Sequence, residues 1–431
     1  MNTNITKVLK NKLCTGCGTC VGICPTNAIE FHRESNGLYV PEVNVSLCSK
    51  CGLCVKICPG YSINFDELNN LIFSKIPDNV FLGNFINCYL GHSMDTQIRW
   101  CSSSGGVLSS LLISALEKKI IDAALVTKMS KENPLEPEVI VARSREDIVS
   151  ASKSKYCPVP VNTAIKKLLD SDEKVAVVGL PCHIAGIRKA EMADEKLRKK
   201  IVLHLGLFCS HTINFLGTEL LLEKLGVRKE DVVGLGYRGN GWPGKMTVEL
   251  KGGEKKIMSS PKCWRALFSS FSFIPFRCTL CCDFSNEFSD ISFGDAWLPE
   301  LMNDKVGTSM LISRTELGER LIQKTMLEGE IKVSKISSEN VIQSQLRNFY
   351  FKKKNLKARF RVVKMFGGEI PNYINCNLSS LRPSLLANFT AILPYINMYV
   401  LSSQRSRKLL KHVPFPLLRV YNSIINTLSS T

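Results

Sequence analysis

Cys14, Cys17, Cys20 and Cys24 run into Pro25, and Cys48, Cys51, Cys54 and Cys58 run into Pro59. Each half reads C-x2-C-x2-C-x3-C-P, a spacing that ligates iron–sulfur clusters. Three cysteines in one tight loop reach three corners of a 4Fe–4S cubane. The fourth, set off by its proline, reaches across to the other cubane. The spacing assigns Cys14, Cys17, Cys20 and Cys58 to one cluster, and Cys48, Cys51, Cys54 and Cys24 to the second. One such half alone also suits zinc; two halves, each closed by a proline, favour a pair of cubanes. A unit of this kind holds and passes single electrons, so the rest of the chain must give those electrons a destination.

Four more cysteines are placed by the elements around them. The apolar stretch 174–179 reads as a strand feeding a helix over 184–190, with Cys182 at the strand's carboxyl end. The stretch 201–208 repeats the pattern, ends in Cys209-Ser210-His211 and leads to a helix over 212–225. Apolar strands that each feed a helix imply a buried parallel sheet. Open α/β sheets bind ligands at the carboxyl ends of their strands. One buried cysteine is ordinarily core; two at equivalent strand ends weaken that reading. Cys278-x2-Cys281 has the spacing of a metal hairpin or a redox dithiol, without thioredoxin-like surroundings. Cys182, Cys209, Cys278 and Cys281 are together enough thiols for a third cubane, drawn from dispersed segments.

Ser103-Ser104-Gly105-Gly106 leads into a helical run over 107–116. Serines cap helices, Gly-Gly lets backbone or ligand approach closely, and a helix N-terminus offers free N–H groups to phosphate. A plain capped helix accounts for the same residues. The loop Tyr237-Arg238-Gly239-Asn240-Gly241-Trp242-Pro243-Gly244 is shaped either to line a pocket or to turn at the surface. Short strands are expected at 28–31 and 38–40, joined by the Asn36-Gly37 hairpin signal. Others are expected at 120–127, 138–142, 232–236 and 307–314, with helices near 66–74, from 147 and over 316–327.

Composition sets the frame. With 431 residues, 45% of them hydrophobic, the chain has material for two or three domains. The opening residues 1–13 are polar and lack an apolar signal segment. Eighteen cysteines in a long chain of this kind point to metal and a reducing compartment rather than a disulfide framework. The expected location is the cytoplasm, with peripheral contact at the inner face of the membrane as a further reading. Residues 331–431 carry sixteen Lys and Arg against Glu339 and Glu369, a net of +14 out of +18. That asymmetry, including Lys352-Lys353-Lys354 and the run 405–411, suggests an anionic surface or partner. Nucleic acid is not expected, since charge alone would carry it. The 22 uncharged residues between Arg382 and Arg405 contain Asn388, Pro394 and Asn397, which argues against a membrane span.

About residues 10–62 resemble a bacterial dicluster ferredoxin. Further on, Ser103-Ser104-Gly105-Gly106, Ser154-Lys155-Tyr156, Gly179-Leu180-Pro181-Cys182, Gly206-Leu207-Phe208-Cys209, Cys278-x2-Cys281-x-Asp283-Phe284 and Asp290-Ile291-Ser292-x-Gly294-Asp295 follow one another. Their order, over about residues 85–320, resembles that of the coenzyme F420 hydrogenase and dehydrogenase beta subunits. The resemblance implies FAD and a 4Fe–4S cluster in this domain, often behind a fused ferredoxin. It makes Cys182, Cys209, Cys278 and Cys281 the ligands of a third cluster. Ser103, Ser104, Gly105, Gly106, Lys155 and Tyr156 become the flavin-binding candidates. His183 stands where the family usually has Gln, and Cys282 is an additional thiol. His183 and Asp295 are proton-donor candidates, with a structural role as the alternative for each.

The expected architecture is an α+β ferredoxin-like dicluster domain (1–62), a linker (63–84), a larger α/β domain (85–330) and a mainly helical, basic C-terminal region (331–431). The expected activity is that of an iron–sulfur flavoprotein oxidoreductase acting on a small organic molecule. Coenzyme F420 or a polysaccharide-biosynthesis intermediate is the implied substrate, with a redox partner protein or low-potential donor supplying or taking electrons. The competing reading is a non-catalytic electron-transfer module docked on a partner enzyme.

Overall fold

A computed structural model of the chain describes residues 4–268, 271–400, 409–410 and 412–430. The basic run 405–411, apart from Leu409 and Leu410, lies outside the described residues. Strands β1 (Ile29–Arg33) and β2 (Tyr39–Val43) form the expected hairpin, in register from Ile29 opposite Val43 to Arg33 opposite Tyr39. Gly37 takes φ +76° in its turn, the left-handed conformation that a tight hairpin demands. Strand β3 (Ser62–Asn64) follows the second cysteine run, and the helix Phe65–Phe73 follows β3.

The large sheet has eight strands. Its first five in chain order are β4 (Asn87–Ser93), β5 (Ala123–Met129), β6 (Pro137–Ala142), β7 (Val175–Gly179) and β8 (Ile201–Leu207). The chain then forms a separate three-stranded antiparallel sheet of β9 (Val232–Gly236), β10 (Lys245–Leu250) and β11 (Lys255–Ser259). Strands β12 (Ile291–Asp295), β13 (Ser309–Ser313) and β14 (Ile331–Ile336) complete the large sheet, in the order β14-β4-β13-β12-β8-β7-β5-β6. The central four, β12, β8, β7 and β5, are parallel, as the apolar strand–helix units require. The outer strands run antiparallel. Strand β14 is an edge of this sheet, so the sheet runs past the boundary expected at residue 330.

Alternation along the central strands feeds two cores. Ala124, Val126, Ala176, Leu203 and Leu205 pack on the helices Val107–Glu117 and Glu316–Leu327. Ala123, Leu125, Val175 and Val177 face the other way and share a core with Ile23 and Ile57, from the two cysteine runs, and with Phe65 and Leu68. One face of the α/β sheet is thus covered by the ferredoxin-like unit. The helix Phe65–Phe73 belongs to that core, so residues 63–84 are packed rather than a free tether.

The seam is tight. A Cβ on Gly22 would lie 2.1 Å from the Asn162 carbonyl oxygen, and one on Gly186 would lie 2.2 Å from Thr19 Oγ1. Only glycine permits that approach. Asn162 donates its backbone N–H to the Cys17 carbonyl at 3.0 Å, and its amide to Thr19 Oγ1 at 2.8 Å and the His183 carbonyl at 2.9 Å. Near the other end, β15 (Asn372–Ile374) pairs in parallel with β3, which ties the C-terminal region to the same unit. No helix among the described residues is long and apolar enough to cross a membrane.

Candidate metal centre and cofactor cavity

The thiols fall into three groups. Burial raises the Cys20 thiol well above its ordinary value, and Cys17, Cys14, Cys58 and Cys54 raise it further. The Cys58 thiol is pushed up to about 11, by burial first and then by Cys17. Cys58 therefore stands with Cys14, Cys17 and Cys20, across from its own run. Cys54 is raised by burial, with Cys51 and Cys24 adding to it. Cys58 thus lies near Cys14 and Cys17, and Cys24 near Cys54.

The third group comes from three segments. Cys182 sits in the first turn of the helix Pro181–Ala193 that follows β7, and Cys209 follows β8. Cys278 lies on the short helix Phe276–Thr279, with Cys281 just beyond it. Burial raises the Cys182 thiol well above its ordinary value; Cys17, Cys209, Cys278 and Cys281 raise it further. The Cys209 thiol is pushed up to about 12 by burial, with Lys352 opposing and Cys278 and Cys281 adding. Cys17 thus links the first group to the third. Cys282 turns elsewhere: its thiol hydrogen-bonds with Cys376 inside the core. Among the described residues, no three Cys, His, Asp or Glu side chains converge on a single ion.

Lys352 completes this third site. It is 1% exposed and donates Nζ to the Cys278 carbonyl at 3.2 Å. Among the described residues it pairs with no carboxylate within salt-bridge distance. Burial disfavours its charge, but the thiols of Cys281, Cys209 and Cys278 outweigh burial, and its ammonium is held above the ordinary lysine range. A buried ammonium needs acceptors or negative charge beside it; the Cys278 carbonyl is one acceptor, and metal-bound thiolates at Cys209, Cys278 and Cys281 would supply the charge. The sequence hid this residue in a run of three lysines. The segment Tyr350–Lys354 is wound as a π-helical turn, a feature frequent at functional sites. Lys353, its neighbour, is also buried and bonds Glu287 Oε1 and the Val80 carbonyl, both at 2.6 Å.

Next to the thiols lies a cavity of about 590 Å³, lined by Ser103, Ser104, Gly106, Lys155, Tyr156 and His183 among others. That volume is in the range of cofactor and ligand pockets. A second cavity, of about 600 Å³, lies between the ferredoxin-like unit and Cys182, Cys209 and Cys278. His183 and Cys209 line both.

The cradle residues come together as the sequence suggests. Ser103 Oγ accepts the Ser154 backbone N–H at 2.7 Å, and Ser104 Oγ donates to the Thr308 carbonyl at 2.8 Å. Gly105 packs so closely on β4 and β13 that a Cβ would lie 2.5 Å from the Gly91 carbonyl oxygen. Gly106, at φ +79°, opens the helix Val107–Glu117. Lys155 differs from expectation. Its ammonium turns back onto the Ser152 and Lys153 carbonyls, at 2.8 and 2.9 Å, and onto that of Ala151. Burial pushes it down to about 7. Its ammonium organises the loop after the helix Arg145–Ser150, while the residue also lines the cavity. Tyr156 packs edge-on against Tyr237 and Phe268, at 5.9 and 5.1 Å between ring centres.

The two proton-donor candidates are held by partners. His183 Nδ1 accepts the Leu180 N–H at 3.1 Å, and burial pushes the ring down to about 4. It is neutral at physiological pH and fixed to the backbone, which suits a structural role. Asp295 accepts two bonds from Arg238, at 2.7 and 3.0 Å. Its carboxylate orients a buried guanidinium in the cavity wall. Arg238, with Trp264 beneath it at 4.9 Å, stands out in sequence only as part of a glycine-rich loop. His211 lines the same cavity, and neither ring nitrogen makes a well-formed hydrogen bond among the described residues. Burial, helped by Lys352, pushes it down to about 3. An uncharged imidazole in a cavity wall, near the Phe268 and Ser210 backbone, can accept or donate a bond to a bound group.

Asp290, in the Asp290-Ile291-Ser292 motif, is structural. It takes the His204 N–H at 2.7 Å, His204 Nδ1 at 3.1 Å and the Thr315 hydroxyl at 2.9 Å, with Arg188 alongside.

Comparison with known proteins agrees with this layout. Residues 13–66 match the 4Fe-4S dicluster domain. Residues 88–166 and 172–339 match the N-terminal and C-terminal parts of the coenzyme F420 hydrogenase/dehydrogenase beta subunit. An F(420)H(2) dehydrogenase subunit of Methanosarcina mazei is 26% identical over 338 residues, covering 77% of this chain and 87% of that protein. Coenzyme F420-dependent sulfite reductase of Methanocaldococcus jannaschii is 30% identical over 270 residues, 59% of this chain and 39% of that protein. A chain of the F420-reducing [NiFe] hydrogenase complex from Methanosarcina barkeri shares the fold, with a TM-score of 0.54 and 22% identity over 69% of this chain and 98% of that one. The chain belongs to the coenzyme F420 hydrogenase/dehydrogenase beta-subunit family, as a member with an N-terminal 4Fe–4S dicluster domain.

Proposed function

We propose that the protein is an iron–sulfur flavoprotein oxidoreductase that exchanges single electrons with a redox partner and transfers electron pairs to or from a small organic molecule. One observation carries the reading. Cys182, Cys209, Cys278 and Cys281, from three distant segments, lie close enough to act on one another and on Cys17 of the ferredoxin-like unit, with Cys209 in the wall of the 590 Å³ cavity and the buried Lys352 on the Cys278 carbonyl. Cys182, Cys209, Cys278 and Cys281 would hold a third cubane. The Ser103–Gly106 cradle, with Tyr156, His211 and Arg238, would hold FAD. Cubanes carry one electron at a time and a flavin handles one or two, which is the conversion such a layout requires.

The chain's own residues supply the setting. Gly105 and Gly106 free the helix start for an anionic group. Arg238, held by Asp295, offers a fixed positive charge in the wall. Trp264, Trp297 and Phe268 exclude water from the same space. The relatives are named for coenzyme F420, and that coenzyme is the substrate to test first; a polysaccharide intermediate is the alternative.

The decisive experiment is composition. Anaerobically purified protein should carry about twelve irons, as three cubanes, rather than about eight. It should release about one FAD on denaturation. Replacing Cys278 and Cys281 with Ser should remove one third of the iron and leave the ferredoxin pair. Full iron in that variant refutes the third site. A flavin-free protein with intact clusters would instead favour a non-catalytic electron-transfer module.

A further inference from the structure

The C-terminal helices are amphipathic in the wrong sense for a protein surrounded by water. On Leu385–Thr390, Ala387 and Thr390 are buried, while Leu385 and Phe389 are 81% and 80% exposed and Leu386 is also exposed. On Leu393–Val400, Pro394 and Asn397 are buried, while Ile396, Tyr399 and Val400 face out. On Phe415–Ser430, Leu417, Val420, Tyr421 and Ile424 are exposed. Their spacings of three and four residues put each set on one helical face. Burial by the hydrophobic effect alone would turn these side chains inward; here Ala387, Thr390, Pro394 and Asn397 take inner positions on the first two helices, and Leu418 and Ile425 on the third.

The three helices belong to one layer. Leu385–Thr390 packs against Phe415–Ser430, and Tyr421 donates its hydroxyl to Asn397 at 2.5 Å. Arg361 donates to Asn388 Oδ1 at 2.7 Å and so anchors the layer to the helix Leu356–Met365. The charge is one-sided. Residues 370–431 contain Arg382, Arg405, Arg407, Lys408, Lys411 and Arg419 and no Asp or Glu. Apolar contiguous surface marks an interaction site. Apolar helical stripes with Leu, Phe and Tyr, in a stretch of sequence whose only charges are cations, fit the headgroup boundary of an anionic bilayer.

We propose that this layer docks the protein peripherally on an anionic membrane, with the outward stripes of the three helices in the headgroup boundary and the cations on lipid phosphates. Helix Leu393–Val400 also sets Tyr395 against Phe276 and the Thr279 hydroxyl, on either side of Cys278. The docked face therefore backs directly onto the third thiol group.

The test is sedimentation of the full-length protein with vesicles of phosphatidylcholine alone or with phosphatidylglycerol added. The expected result is binding to the anionic vesicles only, lost at high salt. Phe389→Gln combined with Leu417→Gln should weaken it at least tenfold while iron content and melting temperature hold, because both side chains already face out. Equal recovery in the supernatant with both lipids overturns the proposal. So does a stable homodimer in sedimentation velocity that the same double substitution dissociates, since a second copy would then cover the stripe. Equal binding by the double variant and the parent also overturns it.

Discussion

Lys352→Met tests the third site at its most sensitive point. The substitution keeps the length of the side chain and removes one buried positive charge. Two unit charges in contact interact by about 4 kcal/mol at an effective dielectric of 20. Lys352 acts on sulfurs across a carbonyl rather than through a direct ion pair, so roughly half to all of that is the relevant range. Stabilising the oxidised over the reduced state by about 2–4 kcal/mol shifts a one-electron equilibrium by about 1.5 to 3 powers of ten. At 59 mV for each power of ten, that is a fall of roughly 90–170 mV in the midpoint potential. The assay is a redox titration followed by electron paramagnetic resonance, in which one of three cluster signals should move and the ferredoxin pair should stay. Lys352→Arg keeps the charge and should leave the signal near its original potential. A Lys352→Met protein with full iron and three unmoved midpoints would show that the lysine does not face a cluster. Stability gives an independent reading. If the sulfurs carried no metal they would be neutral thiols, and removing an uncompensated buried ammonium would raise the melting temperature; with metal-bound thiolates it should fall.

Arg238→Met should leave the Asp295 carboxylate without its buried partner and destabilise the protein by about 3–5 kcal/mol; Arg238→Lys should recover part of the melting temperature but less of the flavin retention. Lys155→Ala should lower the melting temperature through the lost carbonyl bonds, at about 1.5–3 kcal/mol for each bond to a charged group as an upper bound, and loosen flavin only as a consequence. A variant that sheds flavin with an unchanged melting temperature would restore direct contact. Around His204, burial and Arg188 oppose protonation, but Glu191 and Asp290 prevail and hold its pKa raised. That stabilisation is complete below the unfolded value of about 6.5 and is lost as pH rises through the folded value. Asp290 is held low, with burial opposing and Arg188 and His204 prevailing, so its share is present above about 3.9 and lost as pH falls. Thermal melts should therefore show the wild type losing more stability than His204→Gln between pH 6 and pH 9; parallel curves would exclude the network as the source.

The parts that were legible in sequence share one property: their signal is local. The two C-P runs, the Asn36-Gly37 turn, the apolar strands ending near Cys182 and Cys209, and the helix Glu316–Leu327 each lie within a single stretch. What escaped depends on contacts between stretches. In the hairpin of β10 and β11, Met246, Val248 and Leu250 alternate with polar residues on β10, but β11 opens on two lysines and exposes Ile257, which hides the pair. The antiparallel strands β4 and β14 carry no signal of where they join the sheet. The lysine triplet is the clearest case. Composition marks Lys352 and Lys353 as surface charge, and only the π-helical turn with its buried anions reverses that. Lys155 is the converse: its motif is recognisable, but sequence has no means of aiming the ammonium at its own loop. The C-terminal region divides in the same way, its first part buried against the thiols and its later helices exposed.

Arg277 shows what holds the ferredoxin-like unit and the third thiol group at a fixed spacing. It precedes Cys278 and is 2% exposed. Its guanidinium donates to the Gly60 carbonyl at 2.9 Å, the Pro59 carbonyl at 3.3 Å and the Tyr373 hydroxyl at 2.8 Å. Pro59 and Gly60 directly follow Cys58, so a single side chain joins the backbone of one thiol group to that of another. Tyr373 sits on β15 and passes the contact to the Leu280 carbonyl at 3.1 Å. Lys189, from the helix Pro181–Ala193 that carries Cys182, adds a bond to the Cys58 carbonyl at 3.3 Å. Three chain regions thus meet around one buried cation, and no one of them would hold its position alone. Arg277→Met should strand the Pro59 and Gly60 carbonyls and cost about 3–5 kcal/mol. The local effect should exceed the global one: amide exchange around Gly60 and β15 should accelerate far more than in β7 and β8. Magnetic coupling between the reduced centres should weaken or become heterogeneous while iron content is kept. Uniform acceleration across the sheet would mean that Arg277 serves general stability, and an unchanged coupling would remove it as the element that fixes the spacing.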